Sequence, residues 1–293
     1  MFKGIFTPIV TPFDKNEEID YTKVKHNLDK LGKSNLDGIV VLGSNGEFSY
    51  LSHKEKLELV EFVINNFTKE KKIIVGTYCE STRETIELSM EVGKLGADAI
   101  LVLPSNYYTG SMKDDVLYKY FTDIADASTV PMMLYNMPAN TGINLTPSLI
   151  LKLSKHPNIV GIKDTAGNIV QLSEIVRDVD DDFSVFAGNA GYLLPAFSVG
   201  VKGATLALAN ILPEECCKVV RLLREGNLEE ALKLQQSLIE INFLVTGKYG
   251  ISGLKYAMDL LGFEGGEVRR PLLPLSVEGQ VVIKSIIDNG RWK

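Results

Sequence analysis

Eight short apolar runs, each trailed by a helix-like stretch, recur at intervals of about 30 residues and predict an α/β fold, a closed (β/α)8 TIM barrel with right-handed crossovers. From Gly226 that rhythm stops, and three helix-like segments follow with no strand between them. The sequence thus divides into a barrel domain over residues 1–225 and a C-terminal helical extension over 226–293. No low-complexity linker separates them, so the extension is expected to pack on the barrel. The length of 293 residues agrees, because barrels of this size are commonly single units.

Taken in order, Gly4–Val10 reads as the first strand and Thr11-Pro12-Phe13 as its exit turn, since proline has no N–H for a central ladder. A helix follows over about Tyr21 to Gly32. Gly38–Leu42 is a continuous apolar run suited to a strand covered on both faces, and the loop Gly43-Ser44-Asn45-Gly46-Glu47 leaves it. Ser52 with Glu55 fits a capping box, which starts a helix over His53 to Asn66. Lys72–Gly76, Ala99–Leu103 and Val130–Asn136 are strands three to five, with helices over Thr82–Leu95 and Lys113–Ala127 between them. The loop Pro104–Tyr108 follows strand four, and the turn Met137–Gly142 closes strand five. Pro147–Lys155 is helical, Ile159–Asp164 is strand six and Asn168–Asp178 its helix. Phe183–Ala187 is strand seven, Ala190–Gly200 its helix, and Gly203–Leu206 strand eight. The extension's helices are expected over Leu228–Val245, Ser252–Leu261 and Ser276–Asp288.

Composition narrows the function classes. Hydrophobic residues at 45% and charged residues at 23% match average globular usage, which excludes a disordered or fibrous chain. The net charge of -6 and pI near 5.3 argue against a nucleic-acid or anionic-membrane partner. No apolar stretch approaches ~18 residues and no signal peptide opens the chain, so the expected location is the cytoplasm. Cys79, Cys216 and Cys217 have no metal-like spacing and read as plain thiols, and His26, His53 and His156 are scattered. Neither a metal nor a cofactor is expected.

The run Ile159–Asp164 ends in Lys163, and the carboxyl ends of barrel strands are where active sites are built. A lysine held there among apolar neighbours loses hydration, which favours the neutral amine that attacks carbonyls. A structural ion pair with Asp164 or with a neighbouring strand's carboxylate is the competing reading. Tyr135 ends the neighbouring strand five, and adjacent strands lie about 4.8 Å apart, so the two side chains can share one site. A phenol beside an amine suits Schiff-base chemistry, in which carbinolamine formation and dehydration both need a proton shuttle. The loop from Gly43 to Glu47 offers amides and small polar side chains for a carboxylate, although an ordinary βα turn favours the same residues. Tyr107 and Tyr108 form an aromatic pair suited to a core or to a subunit interface.

Thr11-Pro12-Phe13, the Gly43–Glu47 loop, Tyr107-Tyr108, the turn from Tyr135 to Gly142 and the run Gly161–Thr165 together resemble the dihydrodipicolinate synthase and N-acetylneuraminate lyase family of class I aldolases. The resemblance covers essentially the whole chain. It implies a metal-independent lyase in which Lys163 forms an imine with a 2-oxo acid, pyruvate being substrate or product. By the same resemblance Tyr135, Ser44 and Tyr108 relay protons, with Tyr108 contributed across a subunit interface of a tetramer built as a dimer of dimers. Ser44, Asn45, Asn140, Thr165, Gly188 and Thr205 would bind substrate.

One departure bears on the subfamily. The synthase branch carries an arginine where Asn140 stands, and that arginine holds the carboxylate of the aldehyde substrate. A neutral amide lacks the bidentate, charged grip of a guanidinium. Gly43–Phe48, Cys79–Thr82, Pro138–Gly142, His156–Gly161 and Tyr249–Lys255 instead resemble 4-hydroxy-2-oxoglutarate aldolases. The leading expectation is therefore reversible cleavage of 4-hydroxy-2-oxoglutarate to pyruvate and glyoxylate. The alternative is condensation of pyruvate with aspartate semialdehyde, and a remote one is a catalytically silent metabolite-binding barrel.

Overall fold

The computed structural model describes residues 1–292. Its eight parallel strands are β1 (Gly4–Pro8), β2 (Gly38–Val41), β3 (Lys72–Gly76), β4 (Ala99–Val102), β5 (Met132–Asn136), β6 (Ile159–Asp164), β7 (Ser184–Ala187) and β8 (Gly203–Thr205). They hydrogen-bond in sequence order, and β8 pairs back onto β1 to close the expected barrel. Strand ends shift by a residue or two for local reasons. β5 starts at Met132 and not at Val130, because Pro131 has no N–H to give the ladder.

Nine helices follow within the barrel region: α1 (Tyr21–Gly32), α2 (His53–Asn66), α3 (Thr82–Leu95), α4 (Asp114–Ala127), α5 (Pro138–Thr141), α6 (Pro147–Leu153), α7 (Ile169–Asp178), α8 (Leu193–Ser198) and α9 (Pro213–Arg224). Side-chain caps start several of them. Asp20, Ser81, Thr146 and Asn168 accept first-turn amides, and Ser52 with Glu55 forms the expected capping box. The turn after β5 contains the short helix α5, which Pro138 opens at a position where its missing N–H costs nothing. The helix expected over Ala190–Gly200 is instead a 3-10 turn, Ala190–Tyr192, followed by the short α8. Pro195 is tolerated there only because it lies in the first turn of α8.

Two apolar layers hold the barrel. An outer one fills the space between strands and helices, and an inner one includes Phe6, Val40, Ile74, Leu101, Met133, Tyr135 and Phe186. Small residues make room for the large rings. A Cβ added at Gly38 would collide with the ring of Phe6, and one at Gly203 with that of Phe186.

After α9 the chain continues as α10 (Leu228–Phe243), a π-helical turn (Leu244–Lys248), α11 (Gly250–Leu260) and α12 (Val277–Asp288). The helix expected to run to Val245 widens into the π turn, whose neighbourhood holds Gly247 and the positive-φ Gly250. α10 packs on α8 and α9, and α11 packs on α12. Among the described residues, no strand follows β8 and no helix is long and apolar enough to cross a membrane.

Candidate active site

The carboxyl ends of β5 and β6 set the site. Their register pairs Met133 with Gly161, Tyr135 with Lys163 and Asn136 with Asp164. Side chains alternate along a strand, so Tyr135 and Lys163 face one way, into the barrel, and Asn136 and Asp164 the other. Lys163 is 3% exposed and Tyr135 4%. The lysine Nζ lies 4.0 Å from the centre of the tyrosine ring. No ion pair or hydrogen bond to another described residue engages that Nζ, so the competing reading of Lys163 as the partner of Asp164 fails.

Asp164 belongs to a separate network. Its carboxylate accepts from Asn136 Nδ2 at 2.7 Å, Gln171 Nε2 at 3.2 Å and the Ala166 amide at 3.0 Å. Burial pushes its carboxyl above the ordinary value, while these donors pull it back. Asn144 links Asn136 to Gln171, so β5, β6 and α7 are locked together just outside the lysine. This fixes the backbone from which Lys163 projects.

Tyr135 Oη reaches two groups. It lies 3.4 Å from Ser44 Oγ and 2.8 Å from the thioether sulfur of Met137. Ser44 and Asn45 sit in the 3-10 turn Ser44–Gly46 that follows β2, and this turn faces the mouth of the barrel. The resulting cavity is about 420 Å³. Ser44, Asn45, Tyr135, Asn140, Lys163, Thr165 and Gly188 line it, which brings together seven of the nine residues singled out in the sequence. Lys163 is the one charged side chain on its wall among the described residues.

These seven differ in what they offer. The side-chain amides of Asn45 and Asn140 bond to no other described residue, so both are available to a ligand. Thr165 Oγ1 instead donates to the Asn136 carbonyl at 2.7 Å. The Gly188 amide is held by the Asp164 carbonyl at 2.7 Å, and a Cβ there would strike Thr165.

The remaining two stand apart. Thr205 ends β8 fully buried and is not part of the cavity wall. Tyr108 is 71% exposed and packs edge-on against Tyr107, with ring centres 5.1 Å apart, outside the cavity.

Several wall residues were not singled out as site residues in the sequence. Val245, Thr246, Gly247, Gly250 and Ile251 come from the π turn and the start of α11, so the extension supplies one side of the mouth. Met137 and Asn189 also line it. Asn189 is held by Asn242 of α10 at 2.9 Å, a contact between residues 53 apart that no local pattern encodes. A second cavity, of about 510 Å³, lies at the amino ends of β1 and β2, beside Gly4 and Asp37 and away from the lysine. Among the described residues no three His, Cys, Asp or Glu side chains are grouped as metal ligands.

A buried amine at a strand end, a phenol against it and a polar mouth place the chain among the barrel lyases. Comparison with known proteins narrows this. The model of the dihydrodipicolinate synthetase family matches residues 1–289, and the chain belongs to that family. It is 33% identical to a 4-hydroxy-tetrahydrodipicolinate synthase of Oceanobacillus iheyensis over 98% of this chain and 97% of the other. It is 35% identical to one of Archaeoglobus fulgidus over 99% and 98%. Among solved structures, a dihydrodipicolinate synthase of Bacillus anthracis superposes with a TM-score of 0.95 at 31% identity, covering 98% of each chain. YagE, a prophage protein of E. coli K12 from the same family solved in complex with pyruvate, superposes with 0.94 at 30% identity over the whole of both chains.

Proposed function

We propose that the protein is a class I aldolase that binds pyruvate as an imine on Lys163. The observation that supports this most is the register of β5 on β6, which sets the free Lys163 Nζ against the Tyr135 ring and links the phenol to Ser44. Nζ attacks the keto carbon, and the carbinolamine loses its oxygen as water to give the imine. Tyr135 Oη delivers the proton that departs with this water and later moves protons to and from the bond-forming carbon, with Ser44 as the next hydroxyl in the relay. The Ser44–Asn45 turn holds the pyruvyl carboxylate through amides and side chains. The imine itself is the electron sink, so the reaction needs no metal.

For the aldehyde partner, the names of the relatives favour aspartate semialdehyde, and with it the synthase reaction, over the cleavage of 4-hydroxy-2-oxoglutarate that the sequence motifs led us to expect. The neutral wall sustains cleavage as the second reading. Asn140 stands there unbonded, and no guanidinium faces the cavity among the described residues. Tyr108, exposed beside Tyr107, fits a role across a subunit interface in a tetramer of two dimers, and the cytoplasm is the compartment that suits these small-molecule substrates.

Borohydride reduction in the presence of pyruvate tests the core of this reading. A stable mass increment on the peptide carrying Lys163, absent from Lys163→Ala, is the expected outcome; no increment, or one that survives the substitution, overturns it. Initial rates with pyruvate plus aspartate semialdehyde, set against pyruvate release from 4-hydroxy-2-oxoglutarate, decide between the two partners. Activity that persists on dilution to monomer would remove the interface role of Tyr108.

A further inference from the structure

Glu47 closes the 3-10 turn that carries Ser44 and Asn45, and it does so in an unfavourable conformation. Its φ of 54° lies in the left-handed region, which is strained for a residue with a Cβ. Its side chain is also fully buried. Such a residue persists only where its surroundings over-determine it.

The surroundings come from the far end of the chain. Glu47 Oε1 lies 2.6 Å from Lys255 Nζ on α11 and has no other polar partner among the described residues, while Oε2 accepts the Arg269 amide at 2.8 Å. Lys255 is 2% exposed, and its other two protons go to the Thr11 carbonyl at 2.7 Å and the Glu267 carbonyl at 2.6 Å. Thr11 Oγ1 in turn donates to the Gly46 carbonyl at 2.8 Å. The turn is thus gripped from both sides, by Glu47 and by Thr11, and both grips converge on one ammonium. Burial lowers Lys255 to about 8, and Glu47 opposes that shift.

A buried ion pair of this kind contributes little net stability, because desolvating both charges offsets their attraction. Its position favours a different role. α11 begins at Gly250, and Gly250 and Ile251 line the same cavity as Ser44 and Asn45. Lys255 lies one helical turn further on. The pair therefore ties two parts of the cavity wall together, and neither of its side chains lines the cavity.

We infer that Glu47 and Lys255 are positioning residues, which hold the Ser44–Asn45 turn at a fixed separation from Lys163 and from the α11 wall so that it can grip the substrate carboxylate. This rests on the imine reading above. The consequence is selective: loosening the pair weakens capture of pyruvate before it slows the chemistry at Lys163.

The test uses full-length protein and borohydride trapping over a range of pyruvate concentrations. Lys255→Met keeps the stem and strands Glu47 without its charge partner. Glu47→Gln keeps the shape and the bond from the Arg269 amide. In Lys255→Met the half-saturating pyruvate concentration is expected to rise about 10- to 100-fold, the scale of a misplaced positioning group, while the rate of trapping at saturation stays within about threefold. The double variant Glu47→Gln/Lys255→Met removes the stranded charge, and partial recovery of the half-saturating concentration is expected. If Lys255→Met does not fold, Glu47→Gln alone carries the same reading, with a rise of a few-fold or more. An unchanged half-saturating concentration in a folded variant, or a loss confined to the saturating rate, overturns the inference. Wild-type protein that traps nothing would instead refute the imine itself.

Discussion

Tyr135→Phe separates the proposed proton relay from packing. The substitution removes one oxygen and leaves the ring that lies 4.0 Å from Lys163 Nζ. Two contacts are lost, one at 3.4 Å to Ser44, which is long, and one at 2.8 Å to the sulfur of Met137, a weak acceptor. Their combined contribution to folding is below ~1 kcal/mol, so the thermal midpoint should move by only a few degrees. A positioned acid–base group contributes about 10²- to 10⁴-fold to rate, equivalent to ~3–5 kcal/mol in the barrier. The loss should therefore appear in kcat, with little change in KM for pyruvate, because the proposed carboxylate contacts at Ser44 and Asn45 are left in place. Steady-state kinetics on either aldehyde partner, paired with the rate of borohydride trapping, reads both quantities. Ser44→Ala should cost less, and the double variant little more than Tyr135→Phe, since both hydroxyls serve one relay. A Tyr135→Phe enzyme within threefold of wild type would show that protons travel another way.

Three further outcomes follow from the same geometry. Asn140→Arg supplies the missing cation at the mouth, and a charge-assisted bond of about 1.5–3 kcal/mol should raise kcat/KM for aspartate semialdehyde about 10- to 100-fold; no gain in the rate assay would mean that position 140 does not face the aldehyde's carboxylate. Phe186→Ala empties the centre of the inner layer, where the ring is fully buried and 5.5 Å from that of Phe6, and should cost about 3–5 kcal/mol in denaturant unfolding. Burial by itself would raise the Glu55 carboxyl, but bonds from Arg269 and Ser52 outweigh it and hold it down to about 2. A folded-state value below the unfolded one stabilises above about pH 4, and that contribution disappears as pH falls toward 2. Unfolding midpoints across this window should therefore fall more steeply for wild type than for Arg269→Met, and parallel curves would remove Arg269 as the cause.

What the sequence made legible was local. Lys163 and Tyr135 each end an apolar run, and two neighbouring parallel strands place their ends side by side without further information. The Gly43–Glu47 loop could be placed because it directly follows β2. What stayed hidden lies far apart in sequence. The wall from Val245 to Ile251 falls at the break expected between two helices, and the packing of the extension on α8 and α9 carries it to the mouth. Thr205 shows the opposite failure. It ends a strand as Lys163 does and, paired with Phe6 of the inner layer, takes the same inward face, yet it is buried and is not on the cavity wall, because an inward face alone does not bring a side chain to the mouth.

The distribution of roles over these elements explains why the reaction type was easier to read than the substrate. The groups proposed to make and protonate the imine stand on β5 and β6, braced from outside by Asn136, Asp164 and Gln171. Any movement there would break several buried hydrogen bonds together, so these positions have little freedom to vary. Asn140 belongs to α5, a single turn that ends at the positive-φ Gly142 with its side chain in solvent. Exchanging it strains nothing and leaves no buried group unpaired. Another part of the wall hangs from α11, where Lys255 is buried and bonded to Glu47 and to the Thr11 carbonyl. Under the proposed function, such a barrel would exchange its aldehyde partner through α5 and the α10–α11 junction without disturbing Lys163. A panel of aldehydes assayed against variants at Asn140 and Thr246 should therefore redistribute partner preference while leaving borohydride trapping of pyruvate within about threefold of wild type. Coupled loss of trapping in those variants would show that the two halves of the site are not separable.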